Sequence, residues 1–176
     1  AIANADTGIL QRNLHFQCLV PVILQLLGHN LKNDRFIDYA GGGGIFVRLM
    51  RDVGLDFYWT DKYCMNWVAN GFEADLTKKY DALTLFECLE HLEYPINELK
   101  NIFSYADTII ASTELLPQDI PDSSWWYYSF QTGQHIGFYS VDTLKFIAKK
   151  FNKNYYCLSG LHVFTNKSLS IAQIFA

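Results

Sequence analysis

The stretch from Phe36 to Phe46 reads FIDYAGGGGIF and decides the fold. An apolar run that ends in an acid, then four glycines and an amphipathic segment, predicts a strand, a tight turn and a helix. Glycine has no Cβ and tolerates positive φ, so a ligand can lie against the backbone of such a turn. The helix that follows would point its first N–H groups at that ligand. The stretch therefore predicts the first nucleotide-holding βα unit of a doubly wound sheet.

The glycine run does not match the fingerprint of dinucleotide-binding domains, G-x-G-x-x-G. That fingerprint requires a third small residue where the helix meets the strand. Counted from Gly41 this position holds Phe46, and counted from Gly42 it holds Val47. Both side chains are too large for the close contact between helix and strand. The sequence therefore argues against a nicotinamide-dependent oxidoreductase.

The pattern that remains between Asp38 and Gly44 is an acid, a spacer and then small-x-Gly-x-Gly. It resembles motif I of the class I S-adenosylmethionine (SAM)-dependent methyltransferases, D-x-G-x-G-x-G, with Ala40 in place of the first glycine. The resemblance extends over about residues 34–175. It implies a Rossmann-like, doubly wound α/β fold with a seven-stranded sheet, mostly parallel with an antiparallel last strand. It also implies a SAM-dependent methyltransferase, with SAM as the cofactor.

The hydrophobic pattern along the chain agrees with that fold, because strand-like runs alternate with helical ones. Predicted strands cover residues 35–39, 55–60, 71–74, 81–86, 108–112, 154–158 and 169–175, and predicted helices cover 45–53, 95–105 and 140–151. The last two strands follow one another without a helix, as expected for a reversed final strand. Residues 8–31 have helical spacing, and we expect Pro21 to split them into two helices.

Length and composition indicate one folded domain. The chain has 176 residues, of which 50% are hydrophobic and 18% charged, which suffices for a substantial core. We expect an N-terminal helical segment at residues 1–33 and a SAM-binding methyltransferase domain at residues 34–176, forming a single domain overall. The net charge of −4 argues against a nucleic-acid partner. No sequence pattern predicts an oligomeric state.

The spacing of the cysteines indicates the cellular compartment in which we expect the protein. The four cysteines (Cys18, Cys64, Cys88 and Cys157) are widely scattered and include no C-x-x-C pair. This distribution favours reduced thiols in a cytoplasmic protein over a disulfide framework or a zinc knuckle. The apolar run at residues 18–28 is too short to span a bilayer and lacks the charged start of a signal peptide, so we expect no membrane partner.

Four acids (Asp38, Asp61, Asp75 and Glu87) follow successive predicted strands. Ligands of open α/β sheets bind at the carboxyl ends of the strands, so these positions should converge. Asp61 comes 23 positions after Asp38 (61 − 38), close to the spacing of an acid that binds ribose hydroxyls. The resemblance implies that Asp75 binds the adenine amino group and that Glu87 lines the transferred methyl. The predicted cofactor pocket comprises Asp38, Tyr39, Ala40, Gly42, Gly44, Asp61, Lys62, Asp75, Leu76 and Phe86.

Residues 87–91 read ECLEH and resemble the E-x-x-E-H segment of the ubiquinone-biosynthesis-like O-methyltransferases. In a helical turn, Glu87, Glu90 and His91 would share one face, and two carboxylates with an imidazole could hold a divalent metal. Some relatives, including small-RNA 2′-O-methyltransferases, use such a cluster with a further histidine, here His135. The other interpretation is that Glu90 and His91 orient a loop. We favour the loop, so a divalent metal is an alternative and not the favoured prediction.

Seven aromatic residues lie between positions 125 and 139, after the predicted fifth strand. We interpret this aromatic segment (residues 125–139) as a lid over a flat or sugar-like small molecule. The alternative for Trp125 and Trp126 is packing against the sheet edge. The run from Gly133 to Ser140 also resembles a segment of bacterial tailoring methyltransferases, which implies that His135 lies near the acceptor.

The predicted reaction is transfer of a methyl group from SAM to a small-molecule hydroxyl. A neutral imidazole can remove a hydroxyl proton near neutral pH, so His135 is the first candidate base and His91 the second, with Glu87 beside the methyl group. Two alternatives remain open. A non-catalytic methyltransferase-like partner domain would fit the substitution at Ala40. A metal-dependent RNA 2′-O-methyltransferase would fit the acids and His91, although the acidic charge balance argues against it.

Overall fold

The computed structural model of the protein describes residues 8–170. Its helices are α1 (Ile9–Leu26), α2 (Ile45–Asp52), α3 (Pro95–Tyr105) and α4 (Val141–Lys150). Its strands are β1 (Arg35–Tyr39), β2 (Asp56–Thr60), β3 (Ala82–Phe86), β4 (Ile109–Ser112), β5 (Asn154–Leu158) and β6 (Leu161–Thr165). Two short 3-10 turns at Leu89–His91 and Trp126–Tyr128 follow β3 and β4.

The strands form one sheet in the order β2-β1-β3-β4-β6-β5. β1 pairs in parallel with β2 and β3, and β3 pairs in parallel with β4. β6 runs antiparallel to both β4 and β5. The predicted doubly wound, mostly parallel fold with an antiparallel last strand is therefore confirmed. Because β1 to β4 point the same way, the loops after them meet at one edge of the sheet.

Within the described residues the sheet has six strands, whereas the sequence predicts seven. The predicted strand at residues 71–74 is a single parallel bridge between Glu73 and Trp59. Pairing cannot extend before the bridge, because Gly71 has a left-handed φ of +88°. It cannot extend after it, because Asp75 closes a turn by accepting the backbone N–H two residues further on.

The structure also contains a strand that the sequence did not predict. This strand, β6, covers 161–165, and residues 171–175 of the predicted strand at 169–175 lie outside the described range. A two-residue turn joins β5 to β6, and both of its residues have positive φ, 50° at Ser159 and 82° at Gly160. This backbone matches the twist of a tight hairpin, and a Ser-Gly pair between two apolar runs is a signal for one.

The expected break in the N-terminal helix at Pro21 is wrong, because α1 is one continuous helix with Pro21 inside it. Proline removes one helical hydrogen bond and costs about 3 kcal/mol in a helix interior. The side chains of Val20, Ile23 and Leu24 around it are at most 3% exposed. Burying each stabilises the helix by roughly 1.5–3 kcal/mol, which offsets the loss.

Helices cover both faces of the sheet. α1 and α2 pack on one face, over a core that includes Phe36 and Phe57. α3 and α4 pack on the other face, over a core that includes Ile37, Leu83 and Ile109. Neighbouring residues of β1 thus enter different cores, as expected for a strand covered on both sides. Among residues 8–170, no helix combines the length and the apolar character needed to cross a membrane.

Candidate functional site

The glycine turn between β1 and α2 has a left-handed backbone at three positions. The φ angle is 58° at Ala40, 53° at Gly42 and 86° at Gly44. A Cβ on Gly41 would lie 2.6 Å from Oδ2 of Asp38, so no larger residue fits there without displacement of the carboxylate. Glycine is therefore favoured at Gly42 and Gly44 by the left-handed backbone, and at Gly41 by the close approach of the Asp38 carboxylate. Ala40 adopts the unusual angle even though it has a side chain.

Asp38 is the last but one residue of β1 and lies inside the protein, with only 3% of its surface exposed. The Oγ1 atom of Thr84 on β3 donates a hydrogen bond of 2.6 Å to its Oδ1. Burial raises the pKa of Asp38 to about 7, the hydrogen bond from Thr84 opposes the rise, and the charge of Asp61 adds to it. Asp38 thus joins β1 to β3 directly beneath the glycine turn.

Asp61 follows β2 and connects two loops. Its Oδ2 accepts a hydrogen bond from the Gly42 N–H at 2.9 Å. Its Oδ1 accepts from the N–H groups of Tyr63 and Cys64 at 2.7 and 2.8 Å. A carboxylate has about four acceptor positions, so these three bonds leave room on Oδ2 for a further donor. The half-buried Asp61 side chain is therefore fixed against the glycine turn while keeping acceptor capacity.

Two tryptophans that the sequence analysis did not single out support the same turn. The indole Nε1 of Trp59 donates to the Gly42 carbonyl at 2.9 Å. The backbone N–H of Trp67 donates to the Gly43 carbonyl at 2.9 Å, and its ring would lie 3.1 Å from a Cβ on Gly43. Neither residue belongs to a recognisable motif. Their roles depend on contacts between segments that are far apart in the chain, which local sequence does not reveal.

Other members of the predicted cofactor pocket lie near the β2 edge and are exposed. Lys62 places its Nζ atom 5.1 Å from the ring centre of Tyr63. Leu76 is 43% exposed. The hydrogen bonds from Thr77 and the nearby Lys78 lower the pKa of Asp75 to about 2, so this carboxylate is an anion at neutral pH. The structure thus leaves these side chains accessible to a ligand.

Two further members of that set pack against other aromatic rings. Tyr39 stacks on Tyr105 with ring centres 6.1 Å apart. Phe86 lies at the end of β3, with its ring centre 4.5 Å from Phe16 of α1 and 5.0 Å from Phe46 of α2. Tyr39 is half-buried, and so is Phe86. These ring contacts explain why aromatic residues occupy both positions. The role of Tyr39 and Phe86 in cofactor binding stays a prediction.

The two glutamates after β3 belong to one hydrogen-bond network. Ser112 Oγ donates to Oε1 of Glu87 at 2.6 Å, and Tyr127 Oη donates to its Oε2 at 3.3 Å. Thr113 Oγ1 donates to Oε2 of Glu90 at 3.0 Å. Glu90 is fully buried, and its Oε1 has no hydrogen-bond partner among the described residues. Burial, and next to it the charge of Glu87, raises the pKa of Glu90 to about 7.

The two histidines proposed as bases face one another. The ring centres of His91 and His135 are 5.0 Å apart. Nδ1 of His91 lies 2.8 Å from the Gln134 carbonyl oxygen, and Nδ1 of His135 lies 2.6 Å from the Tyr127 carbonyl oxygen. A carbonyl oxygen can only accept, so each Nδ1 carries the proton and each neutral ring keeps its lone pair at Nε2. Burial lowers the pKa of His91, which favours this neutral form.

The aromatic segment is partly interior and partly exposed. Tyr127 and Tyr139 are buried, Trp125, Tyr128 and Phe138 are half-buried, and Trp126 and Phe130 are 71% and 69% exposed. The Trp125 ring packs among Tyr127, Tyr128 and Phe138, which belong to the same segment, so packing of Trp125 against the sheet edge stays a prediction. Trp126 instead presents its ring to solvent.

The glycine turn and the glutamate–histidine cluster follow β1 and β3, two strands that pair in parallel. Burial raises the pKa of the Cys88 thiol to about 12, and the charges of Glu90, Glu98, Asp61 and Asp38 add to the rise. Charges from both groups thus act on one side chain. The structure brings the predicted cofactor residues and the predicted catalytic residues to the same edge of the sheet. It does not test the roles assigned to them.

Comparison with known proteins identifies the family. The family described as a methyltransferase domain matches residues 11–158. A solved magnesium protoporphyrin IX methyltransferase from Synechocystis PCC 6803 with bound SAM is similar, with a TM-score of 0.55, 16% identity, and coverage of 93% of this chain and 83% of that chain. A SAM-dependent methyltransferase from Archaeoglobus fulgidus has a TM-score of 0.54, 19% identity, and coverage of 85% and 75%.

The mitomycin 7-O-methyltransferase MmcR is also similar, with a TM-score of 0.57 and 12% identity, and the match covers 91% of this chain but 58% of that chain. No curated protein sequence matches the chain. At such low identities the solved structures establish the shared fold, whereas the family match covers well over half of the chain. The chain therefore belongs to the methyltransferase-domain family, and the class I SAM-dependent methyltransferase predicted from its sequence is confirmed.

Proposed function

We propose that the protein binds SAM at the carboxyl ends of β1 and β2 and transfers its methyl group to a hydroxyl of a small molecule held near the aromatic segment. The observation that carries the proposal is Asp61. This carboxylate is fixed against the glycine turn by its hydrogen bond from Gly42, and it retains an acceptor position beside the turn. An anionic acceptor at this place suits the ribose hydroxyls of a nucleoside.

The residues around the turn fit the remainder of SAM. The left-handed Gly42 and Gly44 let the backbone approach a ligand closely. The exposed Asp75 carboxylate can accept a hydrogen bond from an adenine amino group. Glu87 lies after β3, and its carboxylate is oriented by Ser112 and Tyr127. These acids supply negative charge near a cofactor that carries a positive sulfonium.

SAM supplies an activated methyl group, and the chain supplies alignment, exclusion of water and removal of the acceptor proton. Nε2 of His135 is the first candidate to accept that proton, and Nε2 of His91 is the second. Both rings are oriented by hydrogen bonds to backbone carbonyls, so their Nε2 lone pairs are held in place before a substrate arrives. A base with a fixed lone pair is effective because little reorganisation is needed in the transition state.

The aromatic segment supports a small-molecule acceptor. Its exposed rings, Trp126 and Phe130, offer apolar surface on which a flat molecule can stack. Ile136, next to the candidate base, is 56% exposed and extends this surface. The similar solved proteins named above include enzymes that methylate magnesium protoporphyrin IX and mitomycin, both small molecules. A planar phenol or a sugar would fit the same chemistry.

Titration calorimetry with SAM and with its demethylated product tests the cofactor site. Asp61→Ala should weaken the binding of both by about 1.5–3 kcal/mol, because charged hydrogen bonds to hydroxyls are lost. Asp142→Ala is a matched control, since this carboxylate is 93% exposed on α4 and forms an ion pair with the exposed Lys145. Melting curves check that the Asp61 variant is folded, since this side chain also connects two loops. Unchanged affinity in a folded Asp61 variant would place the ribose elsewhere.

Turnover of the His135→Ala variant tests the base. With a panel of phenols and sugars as acceptors, the rate of demethylated product formation should fall roughly 10²–10⁴-fold if His135 removes the proton. SAM affinity should stay nearly the same. His15→Ala is the matched control, because this exposed histidine lies on α1. Full turnover in the His135 variant, or joint loss of turnover and cofactor binding, would assign His135 a structural role.

A further inference from the structure

A polar cavity lies at the edge of the sheet opposite the glycine turn. Asp34, Asp81 and Thr108 come directly before β1, β3 and β4. Because these strands pair in parallel, their amino ends meet at one edge, and the antiparallel β6 brings Thr165 to the same place. The cavity that these residues line has a volume of about 330 Å³, within the range of small-molecule sites. The length of β1, about 17 Å, separates it from the glycine turn.

The lining of the cavity is negatively charged. The described residues that line it include three carboxylates, of Asp34, Asp81 and Asp107, and one ammonium, of Lys167. Asp107 is already paired with Lys153, whose Nζ lies 2.7 Å from its Oδ1. The Asp107 side chain is 65% exposed, so the cavity is open to solvent at this residue. The excess of carboxylates favours a cationic ligand over an anionic one.

Two of these carboxylates are fixed to the backbone and still keep acceptor capacity. Oδ2 of Asp34 accepts from the Asn30 N–H at 3.0 Å, and Oδ2 of Asp81 accepts from the Arg35 N–H at 2.8 Å. Acceptor positions remain on the Oδ1 atoms. A guanidinium prefers both oxygens of one carboxylate, whereas a compact ammonium can bind single oxygens of two. The pair of carboxylates therefore suits an ammonium group.

His29 supplies the second, independent observation. Its side chain lines the cavity and is 5% exposed, and its Nε2 is buried without a hydrogen-bond partner among the described residues. Nδ1 lies 3.1 Å from Oδ2 of Asp34, and an ionised carboxylate can only accept, so Nδ1 carries the proton. Burial, and next to it the charge of Lys167, lowers the pKa of His29, so the ring is neutral at neutral pH. Nε2 is then a buried acceptor without a donor, which an N–H group of a ligand would satisfy.

The polar groups of the cavity are too widely spaced for a single metal ion. Within the described part of the chain, no three histidine, cysteine or carboxylate ligand atoms around this cavity lie within 4.8 Å of one another. The volume instead suits an organic molecule of several heavy atoms. The Tyr80 ring lines the same cavity and offers apolar surface for an aliphatic chain.

We propose that this cavity binds a short aliphatic polyamine, at a site separate from the cofactor. One ammonium group lies between Asp34 and Asp81, and an amine N–H donates to Nε2 of His29. A second ammonium group offsets the remaining negative charge of the lining. The bound polyamine connects the segments that precede β1 and β3, so it should bind the folded protein alone and stabilise it. This site does not depend on the function proposed above.

Titration calorimetry of the full chain with spermidine tests the site. We expect saturable binding of one spermidine per chain, and weaker binding of n-butylamine, which carries a single ammonium. Asp81→Asn should weaken spermidine binding roughly tenfold or more, because it removes the charge while its amide oxygen can still accept from the Arg35 N–H. Asp142→Asn is the matched control, since it removes the same charge from a side chain that is 93% exposed on α4, and it should bind spermidine as the parent does.

His29→Asn tests the unpaired acceptor. The amide N–H of asparagine can still donate to Asp34, but Nε2 is lost, so the affinity for spermidine should fall roughly tenfold. Asp61→Ala, which changes the opposite edge of the sheet, should leave spermidine binding unchanged. Melting curves check that each variant is folded. If His29→Asn does not fold, the Asp81 comparison decides, because that variant retains its backbone hydrogen bond.

Three results would overturn the proposal. The first is the absence of saturable binding at millimolar spermidine. The second is equal affinity in the Asp81 and Asp142 variants, which would mean that spermidine binds the acidic surface in general. The third is loss of binding in the Asp61 variant, which would assign spermidine to the cofactor edge.

Discussion

Asp38 is a single residue whose ionisation destabilises the folded protein. A carboxylate that is 3% exposed is costly to ionise, and the hydrogen bond from Thr84 offsets only part of that cost. Its pKa in the folded protein is raised to about 7, from an ordinary value of 3.8. Between these values the unfolded chain loses its proton and the folded protein keeps it. The stability that this residue contributes is therefore complete below about pH 4 and is lost as the pH rises through 7.

Asp38→Asn should remove this pH dependence. Asn has the same shape and can still accept the hydrogen bond from Thr84, but it does not ionise. The free energy of unfolding of the variant, relative to the parent, should increase by about 2–4 kcal/mol between pH 4.5 and 7.5. Urea denaturation without cofactor at a series of pH values measures this difference. A constant difference across that range would mean that Asp38 ionises normally in the folded protein.

The sequence predicts the positions of the acids better than it predicts their partners. Asp38 and Asp61 could be located because an acid at a strand end is a local pattern. The partners Thr84 and Trp59 could not, because each reaches its acid or its turn across the sheet from another loop or strand. Ala40 is a similar case, since its positive φ is enforced by the surrounding turn against the preference of its own side chain.

At the scale of elements, the aromatic segment is anchored at its end. Tyr139 is 4% exposed, and its Oη donates to the Leu89 carbonyl at 2.9 Å. Its carbonyl accepts from the Leu116 N–H, beside a parallel bridge between Leu115 and Tyr139. The segment is thus clamped to the turn that carries Glu90. Its exposed rings therefore extend from a fixed base and not from a free loop.

Tyr139→Phe should loosen this clamp. The substitution removes one buried hydrogen bond, and the Leu89 carbonyl keeps the bond from the Leu92 N–H, so the free energy of unfolding should fall by about 0.5–1.5 kcal/mol. Tyr94→Phe is the matched control, because Tyr94 is 63% exposed and should change stability by less than about 0.5 kcal/mol. Urea denaturation of both variants gives the comparison. Equal stabilities would show that the Tyr139 hydroxyl does not hold the segment.

The sequence predicts best those helices and strands whose ends are marked by residues of the element itself, such as a capping residue. α4 begins at the predicted cap, where Ser140 Oγ accepts from the Thr143 N–H at 3.2 Å. The predicted strand at residues 71–74 fails because its length depends on a left-handed glycine and a side-chain turn at its two ends. The strand at 161–165 was missed because the two-residue turn before β6 was not recognised, whereas most of the predicted strand at 169–175 lies outside the described residues. Turn geometry, and not hydrophobicity, accounts for both differences within the described residues.

For the whole molecule, the sequence predicts that the N-terminal helical segment and the methyltransferase domain form a single domain. α1 packs on the same core as α2 and the sheet. The Phe16 side chain, 9% exposed, packs against Phe86 at the end of β3, with the ring centres 4.5 Å apart. Because the helix buries residues of the sheet, its contribution should be part of the global stability of the domain. The expectation of a single domain follows from this shared core.

Phe16→Ala tests this expectation. Removing a buried aromatic ring leaves a cavity over the sheet, so the free energy of unfolding should fall by about 3–5 kcal/mol. Leu14→Ala on the same helix is the control, because Leu14 is 53% exposed and should cost less than about 1 kcal/mol. If α1 belongs to the domain, fluorescence and circular dichroism will report one cooperative urea transition that shifts as a whole in the Phe16 variant. An unchanged main transition, preceded by separate early loss of helix signal, would instead show that residues 8–27 fold and unfold on their own.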